Sequence, residues 1–197
     1  MFLKRNRIGG FWVIFVYCLA SFVTDKVYGH LSNDTERFYV YFSFTFVEYT
    51  LFTLFVYLSL KEALFRYILL LSSLAFYLFA VFNVIGKKSE GFDSLTASVE
   101  DILIIIYSIF FLYEQIKGPA AFFIYQSKSF WIIIAFLIYF SSTLFLFIYG
   151  KSFEKNSTYW VINNIFDIVK NMLFTVAFAL KTNKKQQYTM ENTYADT

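Results

Sequence analysis

Charge, glycine and proline are scarce in this chain, and each scarcity removes a class of protein. Charged residues make up 16% of the 197 positions against 58% hydrophobic ones, whereas a soluble domain is about a quarter charged. The polar shell of a soluble fold is therefore missing. A single cysteine, Cys18, excludes an internal disulfide and a thiolate metal cluster, and is expected to pack as a small apolar core residue. The one histidine, His30, lies in an expected loop, and no His-Glu-x-x-His, Gly-x-Ser-x-Gly or phosphate-cradling glycine loop occurs. Zinc hydrolysis, serine-triad chemistry and cofactor binding thus have no sequence support; no enzyme, metal or cofactor is expected. Net charge is only +3, with no run of four basic residues, so nucleic acid is not an expected partner. The charge suits an anionic lipid leaflet.

The seven glycines and the one proline, Pro119, fall at the ends of apolar runs or between them. Transporters that bind substrate at unwound helices carry such breaks near mid-membrane, and here they are absent. The Gly-x-x-x-Gly helix-contact motif is missing too.

What remains is apolar sequence in runs of about 20 residues, the length a helix needs to cross a ~30 Å hydrocarbon layer. Stretches such as Ile102 to Tyr107 and Trp131 to Phe140 do not alternate apolar with polar, as barrel strands would. The expected fold is an all-α, polytopic integral membrane protein, a bundle of about six transmembrane helices without a sizeable soluble domain. The helices are placed at about 8–27, 38–60, 63–85, 95–113, 129–149 and 159–180, so that one transmembrane domain fills 1–180 and a polar, aperiodic tail fills 181–197. Lys4, Arg5 and Arg7 before the first apolar run give the layout of a retained signal anchor, for no small-x-small cleavage site follows. The fourth helix is the weakest, because Ser98 and Asp101 fit a capping box that would start it near Val99. Between the fourth and fifth helices, the short apolar patch Ala120 to Tyr125 fits an interfacial segment.

Cytoplasmic loops carry the excess of Lys and Arg. Lys4, Arg5, Arg7, Lys61, Arg66, Lys117, Lys128, Lys181, Lys184 and Lys185 fall on one side, against Lys26, Arg37, Lys87, Lys88, Lys151 and Lys155 on the other. Both termini are therefore expected in the cytoplasm of a cell-membrane protein. A faint repeat accompanies this layout: Phe11-Trp12 and Phe130-Trp131 each precede an acid, Glu48 and Asp167, by 37 positions. Three hairpins, each with an acid on its second helix, would produce it.

The 28 Phe and 16 Tyr fit lipid-facing, packing and interfacial roles. The sharper feature is on the sixth helix, where Asn163, Asn164, Asp167, Lys170, Asn171 and Thr175 recur at helical spacing and form a polar stripe. Lys170 is roughly 15 Å from either helix end, too deep to snorkel to water. A charge at mid-bilayer costs about 2.5–3.5 kcal/mol on insertion scales, so Lys170 needs a partner or a wet cavity. Asp167 and, from mid-helix two, Glu48 are the candidate partners, with Tyr41, Thr45 and Tyr49 on or beside the Glu48 face. Glu100 and Asp101 are expected nearer the outer surface, as an acidic first turn or a cation-concentrating mouth. The hydroxyls of Ser72, Ser73, Ser141, Ser142 and Thr143 are expected to bond back into their own helices.

Chain length and helix number resemble those of the vitamin-binding subunits of energy-coupling transporters, but the first helix lacks their Ala-x-x-x-Ala motif. The three-hairpin plan resembles mitochondrial-type carriers, yet the Pro-x-Asp/Glu-x-x-Lys/Arg signature is absent. No family is identified. Two functions stay open: a non-enzymatic module that senses, scaffolds or assembles with a membrane partner or a second copy, and a small transporter or channel for ions, protons or a polar solute.

Overall fold

The computed structural model describes residues 10–86, 94–118, 121–153 and 157–180. Among these, every regular element is helical: α1 (Phe11–His30), α2 (Asp34–Ser59), α3 (Ala63–Gly86), α4 (Ser94–Lys117), the 3-10 turn α5 (Ala121–Gln126), α6 (Lys128–Phe153) and α7 (Ser157–Ala179). The six long helices are each long and apolar enough to cross a membrane. The protein is a six-helix, multi-pass membrane bundle. The tail, the first nine residues and Lys87, Lys88 and Pro119 lie outside the described residues, and with them the signal-anchor and tail expectations.

Each long helix reverses on the previous one, so their ends form two rims. One, the terminal rim, holds Phe11, Ser59, Lys117, Lys128 and Ala179; the opposite rim holds His30, Asp34, Ser94 and Phe153. Helix α1 packs on α2, α2 on α3 and α4, α4 on α3 and α6, and α6 on α7. Five helices, α1, α2, α4, α6 and α7, thus surround a centre, with α3 outside in the groove of α2 and α4. The ring closes between α7 and α1 through long side chains: Phe11 meets Phe178, and Tyr17 meets Phe174, each with ring centroids 6.3 Å apart.

The centre is aromatic. The Phe52 ring centroid lies 4.4 Å from that of Tyr17, 4.3 Å from Phe136 and 5.2 Å from Phe140, in tilted and edge-on contacts, so one side chain of α2 touches α1 and α6 together. Such pairs hold more than their buried area alone, by about 0.5–1.5 kcal/mol each. Helix α4 carries a regular inward face, with Ala97, Glu100, Ile104, Tyr107, Phe111 and Glu114 buried at three- and four-residue spacing.

Short turns are latched by side chains. The Asn33 side chain caps α2 by accepting from the Thr35 amide at 3.0 Å. Arg37 donates to the Leu31 carbonyl at 2.9 Å and Arg66 donates to the Leu60 carbonyl at 2.9 Å, the same six-residue latch at opposite rims. At the terminal rim the Glu114 carboxylate of α4 accepts from the Lys61 amide at 2.6 Å and the Glu62 amide at 3.0 Å, capping the start of α3 from a neighbouring helix.

Two expectations change. Helix α4 begins at Ser94, so Ser98 and Asp101 lie inside it rather than at its cap. The Asn83 amide donates to the Thr96 hydroxyl at 2.8 Å and docks that first turn onto α3. Cys18 is exposed on the flank of α1 that lies within electrostatic reach of Lys170 and Asp167, because the inward face of that helix is taken by Val13, Ile14 and Tyr17.

Candidate functional site

Lys170 on α7 points into the ring and is 1% exposed. Its position follows from helical phase, since Phe174 and Ala177, at four and seven residues on, are buried on the same face. The ammonium is held on three sides. It pairs with the Asp167 Oδ1 at 2.6 Å, one turn back on α7. It donates to the Tyr17 hydroxyl of α1 at 2.5 Å. It also sits 3.8 Å from the centroid of the Tyr139 ring of α6, where the π face attracts a cation. The Tyr17 hydroxyl in turn donates to Glu48 Oε1 of α2 at 3.0 Å.

One chain of polar contacts therefore runs Asp167, Lys170, Tyr17, Glu48, and it joins α7, α1 and α2. Charge-assisted bonds of this kind are shorter and stronger than neutral ones. In hydrocarbon each also removes the cost of leaving a charge bare. Asp167 is the rim of the cluster: its side chain is 40% exposed, and its second oxygen accepts from the Asn171 amide at 3.1 Å.

The stripe read on the sixth long helix is split by the fold. Lys170 faces the core, Asp167 is half-buried within electrostatic reach of Cys18 and Asp25 of α1 and so lies at the α1–α7 seam, Asn163 is half-buried, and Asn164, Asn171 and Thr175 are exposed on the outside of the bundle. Glu48 reaches Lys170 through Tyr17, not directly.

Glu100 and Asp101 of α4 are each 3% exposed and lie about 9–11 Å along the helix from the opposite rim. They are buried groups, not a surface turn. Both lie within electrostatic reach of Glu48, and the Tyr139 ring is near all of these acids. The Thr143 hydroxyl lies beside Asp101. Glu100 Oε1 and Asp101 Oδ2 have no hydrogen-bond partner. Among the described residues, no three His, Cys, Asp or Glu side chains converge as a metal centre would.

Comparison with family models, with curated proteins and with solved structures finds no match.

A second polar cluster lies between α2, α3 and α4. The Tyr49 hydroxyl donates to Ser73 Oγ at 3.0 Å and meets the Tyr107 hydroxyl at 3.0 Å, which meets Ser72 Oγ at 2.7 Å. It ties α3 to α2 and α4. Ser72, Ser73, Ser142 and Thr143 also bond back to carbonyls of their own helices, as expected of such residues. Tyr17 and Tyr139 carried no signal of their own, being two tyrosines of 16. Glu114 was equally silent, because a carboxylate near a helix end reads as a solvated residue.

Proposed function

We propose that the protein is a non-enzymatic membrane module that works by assembling with membrane-embedded partners, its buried charges locking the bundle in one register. The observation that carries this reading is the full commitment of Lys170. A residue that moves ions needs a free valence and water beside it, and the Lys170 ammonium is instead enclosed by Asp167, Tyr17 and the Tyr139 ring at 1% exposure. Register fixing is the best-attested use of a buried polar contact in a helical bundle. The uninterrupted helices support the same reading, since none of the six offers the broken segment at which transporters coordinate substrate.

The test is ion flux in sealed liposomes containing the purified protein, driven by a pH gradient. The expected result is no flux above protein-free vesicles, with Lys170→Met changing stability only. A pH-dependent cation flux that Lys170→Met abolishes while the bundle stays folded would refute assembly as the sole role.

A second reading, proton or small-cation transfer, is favoured by one observation: Glu100 and Asp101 each keep a buried oxygen without a partner near Glu48. An acid in such a place is where a proton or small cation would be held. Flux retained in Lys170→Met but lost in Glu100→Gln would select it.

We place both termini in the cytoplasm, on the excess of Lys and Arg at the terminal rim and its flanks. A reporter active only outside the cytoplasm should stay silent when fused after Thr197 and be active when inserted beside Ser32.

A further inference from the structure

Helix α7 presents to the bilayer a face that lipid does not satisfy. Asn164 and Asn171 are both exposed on the outside of the bundle, although they lie about 10–12 Å inside the helix ends. An amide facing hydrocarbon without a partner costs several kcal/mol. Asn171 gives one N–H to Asp167, leaving its carbonyl and second N–H open. Among the described residues nothing hydrogen-bonds the Asn164 amide.

The two asparagines are seven residues apart, two helical turns, and so share one side of the helix. Around them Val161 and Ile168 are exposed at 55% and 54%, Thr175 follows with its hydroxyl bonded back to the Asn171 carbonyl at 2.9 Å, and Phe178, 46% exposed, borders the seam where it meets Phe11 of α1. The pattern is that of a coiled-coil face with asparagine at the same core position of two successive heptads and Ile168 between them, an arrangement that selects pairing and register.

We propose that this face is a self-association surface, on which the α7 helices of two copies pack in parallel across a two-fold axis normal to the membrane. Two copies inserted with the same topology necessarily meet as parallel helices, so each asparagine faces its own counterpart. A primary amide carries both donor and acceptor and bonds its own copy as well as any other group. A carboxylate or ammonium could not, and the seam holds neither: Asp167 lies to its side and is neutralised by Lys170. The partner that fits is thus a second copy of this chain. The proposal rests on the assembly reading and names its partner.

The experiment replaces Cys18 by Ser and introduces one cysteine, either Ile168→Cys on the seam or Leu74→Cys on α3, both exposed and each 11 residues from the terminal-rim end of its helix. Oxidation with copper phenanthroline follows, in native membranes and in liposomes of the purified protein. Ile168→Cys should give covalent dimers in both settings and Leu74→Cys should not. Adding Asn164→Leu and Asn171→Leu should weaken dimerisation by roughly 3- to 30-fold for each amide pair lost. Asn164→Leu alone, which leaves the Asp167 contact untouched, should show its share, with the unfolding midpoint unchanged at detergent dilutions where the protein is monomeric. Equal cross-linking at Ile168 and Leu74, or dimers indifferent to both asparagine changes, overturns the proposal. A covalent product with a different membrane protein in native membranes, and monomer in liposomes, also overturns it but leaves the assembly reading standing. Ion flux is what removes that reading.

Discussion

At the scale of single residues, the Tyr17 hydroxyl holds the cluster together, since it accepts from Lys170 and donates to Glu48 at once. Without it the cation and the second acid would have no shared atom. Tyr17→Phe keeps the ring and its contacts with Phe52 and Phe174 and removes that oxygen alone. A buried hydrogen bond to a charged group is worth about 1.5–3 kcal/mol, so unfolding in mild detergent should show a loss of that order. Tyr28→Phe, on the same helix near the opposite rim, should show much less. Equal losses would place no special weight on Tyr17. Lys170, Asp167 and Glu48 were legible in the sequence because charges are rare inside apolar runs. Tyr17 was not, because α1 is apolar almost all round and no period marks its inward side. For the same reason the sequence points to a core position for Cys18, the next residue, which is exposed.

At the scale of elements, the number and kind of helices followed directly from the length of the apolar runs, and their ends did not. Helix α4 shows why. Ser98, Glu100 and Asp101 look like the capped start of a helix, but Thr96 is tied to Asn83 and Ala97 is buried, so tertiary contact adds another turn before them. That turn carries both acids into the bundle. The other end of α4 carries a cap that belongs to another helix: Glu114 accepts from the Lys61 and Glu62 amides at the start of α3. A helix start left without such an acceptor loses about 1–2 kcal/mol. Glu114→Ala should lower stability by that amount and speed hydrogen exchange at the Lys61 and Glu62 amides, leaving amides in the middle of α3 protected. Uniform exchange across α3 would mean that Glu114 holds the helix by packing rather than by capping.

At the scale of the whole molecule, the decisive feature is the seam where the ring closes. Every other neighbouring pair in the ring packs backbone to backbone, while α1 and α7 meet through Phe11, Tyr17, Lys170 and Phe178. Long side chains rather than close backbones bridge these two helices, and whether lipid or water lies against them separates the two functions. Lipid there leaves the Lys170 cluster a dry lock; water would make it the wall of a pathway. Cys18 is a built-in reporter of the difference. It is the only cysteine, is exposed on α1 about 10 Å from the terminal rim, and lies within electrostatic reach of both Lys170 and Asp167. Thiol alkylation requires the thiolate, which forms only where water or a cation stabilises it. In sealed membranes a charged, water-soluble thiol reagent should leave Cys18 unmodified, and the same reagent should modify it fully after denaturation in SDS. Substituting Asp167→Asn should not alter that protection if the seam is closed by lipid, because the reagent never arrives. Rapid modification in the intact membrane, changing with Asp167→Asn, would instead mean that water reaches the depth of Lys170, and would shift the balance from a scaffold to a conducting bundle.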